Sequence, residues 1–113
     1  MERYKIDFES MPWERAVVGA KVKAYERNGR KLRLAEFTRE FIEPDWCTTG
    51  HIGYILEGQL EINFEGKIVV FGPGDGLFIP PGEKHKHIGR VLTDIVKIIL
   101  VEDVCLLTNR QRA

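Results

Sequence analysis

Apolar and polar residues alternate with a period of two over much of the chain, the spacing of side chains that point to opposite faces of a strand. The pattern is clearest from Gln59 to Phe64, where Leu60, Ile62 and Phe64 alternate with Gln59, Glu61 and Asn63, as in a half-buried antiparallel strand. Leu32 and Leu34 alternate with Lys31 and Arg33 between Lys31 and Phe37. Glu36 breaks that series, either as an acid or base facing a cavity or at a register shift or bulge. Further strands are predicted from Val17 to Tyr25, His51 to Leu56, Lys67 to Phe71, Leu77 to Ile79, around Ile88, and from Ile95 to Val101.

Turn residues separate these runs. Asn28-Gly29 carries the strongest hairpin signal, because both residues tolerate the positive φ of a type I′ turn, and Glu65-Gly66 marks a second hairpin. Ile42 to Gly50, with Pro44 inside it, reads as a loop. Together the pattern predicts about eight to ten short strands and no amphipathic helix, hence an all-β antiparallel sandwich or barrel.

Length and charge narrow the picture. With 113 residues the chain is read as a single domain, 1–113, with an arm over residues 1–15 and a frayed polar tail over 108–113. Phe8, Met11 and Trp13 are expected to tether the arm to the body. Lysine plus arginine and aspartate plus glutamate number 17 each, so no broad basic surface points to nucleic acid or to an anionic membrane. No apolar run is long enough to span a bilayer and the first residues lack a signal-peptide pattern. Cys47 and Cys105 are the two cysteines, without redox or zinc-ribbon spacing, which predicts free thiols and a cytoplasmic location. Cys105 reads as a small core residue. Trp46, Tyr54 and Phe78 are read as core aromatics, with a pocket wall or subunit interface as the alternative.

All three histidines and Cys47 fall between Asp45 and His87, which concentrates any metal or acid-base chemistry there. Gly74, Pro80, Gly82 and His85 match the pattern G-x5-P-x-G-x2-H-x3-N, with Gly89 at the final position. Upstream, Gly58 fits the last position of G-x5-H-x-H-x3-4-E-x6-G. Counting back puts His51 at the Glu, Cys47 at the second His, Asp45 at the first and Arg39 at the opening Gly. On these motifs the chain resembles the cupin superfamily from about Leu32 to Val101, with a degenerate first motif.

The resemblance implies an antiparallel jelly-roll β-barrel enclosing a metal ion, and a homodimer. In place of the family's three histidines and one carboxylate, this chain offers His51, His85, Cys47 and Asp45 as ligands. Cys with two His favours zinc, whereas Asp45 with His51 and His85 resembles the set used by iron(II); manganese and nickel are also admissible. Each residue has a plainer reading: a hydrogen-bonded cavity histidine, a packed thiol at Cys47, and turn chemistry at Asp45 after Pro44. His87 would share a face with His85 on a regular strand, lining the pocket, and is the candidate for proton transfer if the protein is an enzyme. The expected function is binding of a divalent metal and a small polar molecule. The alternative is a metal-free, non-catalytic binding or sensing module.

Overall fold

A computed structural model describes residues 4–103, so Cys105 and the tail lie outside the described residues. Nine strands follow in order: β1 (Glu14–Val17), β2 (Ala20–Arg27), β3 (Arg30–Thr38), β4 (His51–Glu57), β5 (Leu60–Phe64), β6 (Lys67–Phe71), β7 (Gly76–Ile79), β8 (Ile88–Val91) and β9 (Ile95–Asp103). The only helical pieces among the described residues are two three-residue 3₁₀ turns, Phe8–Ser10 and Glu83–His85. None is long and apolar enough to cross a membrane.

Every strand pairing is antiparallel, and the strands form a six-stranded sheet in the order β1-β2-β3-β9-β4-β7 and a three-stranded sheet in the order β6-β5-β8. The expected closed barrel is therefore corrected to two separate open sheets, since no ladder joins the edge strands β1 and β7 to the edge strands β6 and β8. Gly58 lies at the break. The β4–β9 register shifts between Ile55 and Glu57, and Gly58 turns the chain with φ +82° against the Ile95 carbonyl, carrying it into the other sheet. Asn28-Gly29 and Glu65-Gly66 form the predicted hairpin turns, all four residues having positive φ. A further hairpin precedes these two and divides the strand expected from Val17 to Tyr25: β1 takes up Glu14 and Arg15 from the expected arm and ends at Val17, and Gly19 turns the chain into β2.

The core lies between the sheets. Leu60, Ile62 and Val91 of the small sheet pack with Ala35, Ile55, Ile98, Val96, Leu100, Leu77 and Ile79 of the large one. Ile55, Ile98 and Val96 are the largest fully buried side chains. Burying each contributes roughly 1.5–3 kcal/mol relative to exposure.

In β3 the alternation has the reverse sense from an apolar-in strand. Ala35 and Phe37 face the core and Lys31 and Arg33 share their face, lining the interior, while Leu32, Leu34 and Glu36 lie on the other. Glu36 sits in unbroken register between Lys21 and Lys97 and pairs with both, at 3.3 and 3.7 Å, so neither a cavity acid nor a bulge accounts for it. The large sheet's outer face also carries Ile52, Tyr54, Phe78 and Val101, all exposed; the aromatics expected in the core are on the surface. Trp46 is exposed too, beside the Lys86 ammonium. The arm is anchored to this outer face by Lys23, which donates to the Phe8 carbonyl at 2.7 Å, and by Trp13 against Lys21 and Lys23.

Candidate metal centre

The site forms where the loop before β4 meets the turn before β8. Cys47 and His87 exchange both backbone hydrogen bonds, 2.7 and 3.0 Å, as an isolated antiparallel bridge. Residues so paired have their side chains on the same side, which brings the thiol beside the imidazole. His51, the first residue of β4, completes the group: the ligand atoms of Cys47, His51 and His87 all lie within 4.8 Å of one another.

Both rings are held in one orientation. His87 is buried, and its Nδ1–H donates to the His85 carbonyl at 3.1 Å, which leaves Nε2 with its lone pair. His51 Nδ1–H donates to Glu102 Oε2 at 2.7 Å, and its Nε2 lies 3.8 Å from Cys47 Sγ. Glu102 is itself buried and accepts from Arg33 Nη2 on the same oxygen at 2.7 Å. An imidazole whose Nδ1–H is fixed by an oxygen acceptor is the usual arrangement of a metal-ligating histidine.

The electrostatics follow from these contacts. Burial works to lower the His51 pKa, but the hydrogen bonds and charges of Cys47 and Glu102 outweigh it and raise the pKa to about 9. Burial likewise disfavours the Glu102 carboxylate. The His51 hydrogen bond and the Arg33 guanidinium prevail and bring its pKa down to about 2. The His51 hydrogen bond draws the Cys47 thiol down against burial, with help from Thr49. Without metal, imidazolium, carboxylate and guanidinium thus alternate along the group, with the Cys47 thiol at its end drawn toward its ionised form.

Two residues proposed as ligands lie outside the cluster. Asp45 is exposed and its carboxylate accepts the Trp46 backbone N–H at 2.8 Å, the turn role open to an aspartate after proline. His85 ends the 3₁₀ turn Glu83–His85, and it contributes its carbonyl to His87 rather than its ring to the cluster. That turn breaks the strand geometry that would have put His85 and His87 on one face. Glu102 and Arg33 were not singled out from the sequence. The signal for Glu102 was available, since it continues the series Val96, Ile98, Leu100 at a spacing of two and so falls on the buried face of β9.

The cluster lines a cavity of about 560 Å³ between the sheets, whose wall includes Phe37, Ile62, Leu100 and the cations Lys31 and Arg33. That volume suits a small molecule. The donor set, two imidazole nitrogens and a cysteine sulfur, fits a borderline-soft divalent ion, which would take the place of any proton those atoms carry.

A family model described as a cupin domain matches residues 43–101, about half the chain, and that span contains the whole donor set. No curated protein matches the chain in sequence. Among solved structures, an RmlC-like cupin from Shewanella frigidimarina NCIMB 400 superposes with a TM-score of 0.72 at 20% identity, covering 96% of each chain. KdgF from Halomonas sp. gives a TM-score of 0.67 at 22% identity over 91% of this chain and 94% of that one. The iron(II) form of HppE gives 0.66 at 16% identity over 88% of this chain and 60% of that one. At such identities the likeness establishes the fold and nothing finer.

Proposed function

The chain belongs to the cupin family, and from that premise we propose that it holds a divalent metal ion through Cys47, His51 and His87 and binds a small polar molecule beside it. The observation that carries this reading is the pair of imidazoles whose Nδ1–H groups are committed to the His85 carbonyl and to Glu102, leaving both Nε2 atoms for the site. Two His and one Cys favour zinc, with iron, manganese and nickel as the other candidates. HppE, solved in its iron(II) form, gives the fold a precedent for housing a metal. When bound, the ion would supply Lewis-acid polarisation of a ligand oxygen. His87, first considered as a proton carrier, is placed by this reading among the ligands.

Elemental analysis of protein purified without chelator tests it. About one equivalent of metal is expected in the wild type, with loss in Cys47→Ser, His51→Ala and His87→Ala. A metal-free wild type would favour the second reading, a binding module without metal. One observation supports that alternative: Cys47, His51, Glu102 and Arg33 already partner one another in a continuous chain of contacts. Ligand-induced thermal stabilisation insensitive to chelator would then be its mark.

The reading includes a homodimer formed through the outer face of the large sheet. Tyr25, Leu32, Val101, Ile52 and Phe78 form one cross-strand row on that face, and Lys21, Glu36, Lys97 and Glu57 form another. Under a two-fold axis parallel to the strands, the alternating row meets its own reverse, so each lysine faces a glutamate while the apolar rows meet each other. Light scattering is expected to give a dimer mass for the wild type and a monomer for Ile52→Glu. The free thiol of Cys47 suits a cytoplasmic location, where thiols stay reduced.

A further inference from the structure

The interior of β3 carries a feature that metal binding alone does not require. Lys31 and Arg33 both line the cavity between the sheets. Placing cations in such an interior is unfavourable unless they are paired. Yet Lys31 stands in register between Glu26 and Glu102, and among the described residues it makes no ion pair or hydrogen bond with either. Arg33 commits Nη2 to Glu102, while its Nε is buried without a partner. A guanidinium offers five donors in a fixed fork suited to a carboxylate.

The cavity's acids, by contrast, are engaged. Glu102 accepts from both His51 and Arg33, Glu43 accepts the Gly89 backbone N–H at 2.7 Å, and Asp103 pairs with Arg30 at 3.3 Å. Uncommitted donor capacity in this part of the cavity is therefore cationic, and it belongs to Lys31 and Arg33.

We propose that Lys31 and Arg33 form an anion subsite, and that the molecule entering the cavity is a compact carboxylic acid whose carboxylate rests on these two side chains. The inference rests on the small-molecule reading given above and names the class of that molecule. Its size follows from the spacing: Arg33 Nη2 and His51 Nδ1 both lie 2.7 Å from the same Glu102 oxygen, and the width of the His51 ring separates that oxygen from the Nε2 that faces Cys47, so a compact acid reaches from the subsite to the centre. An acid carrying a second oxygen on the adjacent carbon, a 2-oxo or 2-hydroxy acid, spans the two. The wall contributed by Phe37, Ile62 and Leu100 favours a short apolar remainder.

Calorimetric titration with pyruvate, its uncharged analogue pyruvamide, and inorganic phosphate tests the proposal on the protein as purified, with metal content measured in the same samples. Pyruvate is expected to bind about tenfold or more tighter than pyruvamide, the effect of one charge-assisted contact. Lys31→Met should erase most of that preference at unchanged metal content. Arg33→Lys, which keeps a cation against Glu102 while removing the planar fork, should reduce it by less. Equal affinity for acid and amide, absence of pyruvate binding, or a Lys31→Met variant that keeps the full preference would overturn the subsite. Tighter binding of phosphate than of pyruvate would overturn the carboxylate assignment in favour of a phosphorylated ligand. A wild type without metal that still prefers the acid would remove the metal reading and leave the subsite standing.

Discussion

Three strands, β3, β9 and β4, build both ends of the space between the sheets, and the ends differ in kind. At one end Ala35, Ile98 and Ile55 meet in register, all essentially inaccessible to water and wholly apolar. A few residues along the same strands, Lys31, Arg33, Glu102 and His51 take the equivalent inward positions, and the interior is polar, charged and partly open. The backbone ladder is continuous through β3 and β9, so the contrast is one of side chains alone. The apolar end supplies the burial that holds the sheets together, which lets the other end keep groups that contribute little to packing.

The contrast can be broken from either side. The largest loss is expected at the apolar end: Ile98→Ala should destabilise by about 2–5 kcal/mol in denaturant unfolding, through lost burial and the cavity left behind. The variant's metal stoichiometry should match the wild type, because Ile98 stands opposite Ala35 and Ile55, four residues along the strands from Glu102 and His51; coupled loss of metal would show that the two ends are one unit.

At the polar end, Glu102→Gln should cost about 3 kcal/mol of stability, since Arg33 and His51 lose their common counter-charge. The same change should weaken metal binding about 10–100-fold, as expected of a residue that orients a ligand. Stability falling with no change in metal affinity would assign Glu102 to folding only.

Protons sharpen the comparison further, because only the polar end titrates. His51 has its pKa raised from 6.5 to about 9, so its contribution to the metal-free protein is complete below pH 6.5 and is lost as pH rises through about 9. Glu102, lowered from 4.5 to about 2, contributes fully above pH 4.5 and loses that contribution as pH falls through about 2. These are two views of one interaction, and its loss on the alkaline side should amount to on the order of 1–2 kcal/mol in chemical unfolding at pH 7 and pH 10. Metal must displace the His51 proton, so apparent metal affinity should rise with pH over the same alkaline interval.

The smallest effects are expected from residues the motif pattern favoured. Asp45→Ala and His85→Ala should each change stability by no more than about 0.5 kcal/mol and leave metal content intact. Loss of metal in either would return that residue to the site.

These cases also show what a sequence can reveal of such a molecule. Period-two alternation and the pairs Asn28-Gly29 and Glu65-Gly66 located strands and hairpins well, because both signals are local. Sheet closure was not legible: the chain changes sheets at Gly58, and whether edge strands then meet depends on long-range stacking. Motif spacing singled out Cys47 and His51, and both fall in the cluster of candidate donors. His87 lies in that cluster and His85 outside it because a single 3₁₀ turn rotates the chain between them, a local event that a Glu-Lys-His-Lys-His run does not announce. On β3 the alternation was visible but its sense was not, since Leu32 and Leu34 look like core and lie on the outer face. Knowing which face is inside requires the partner sheet.

The Cys47–His87 bridge carries a consequence for dynamics. Two amides, one on each side of the centre, are hydrogen-bonded only across it, with no flanking ladder to protect them. Their deuterium uptake therefore tracks the opening of this one contact rather than global unfolding. A loaded centre would clamp the two side chains from the same positions, so exchange at residues 47 and 87 should slow selectively while amides in β3 and β9 stay unchanged, giving occupancy a reporter in the main chain.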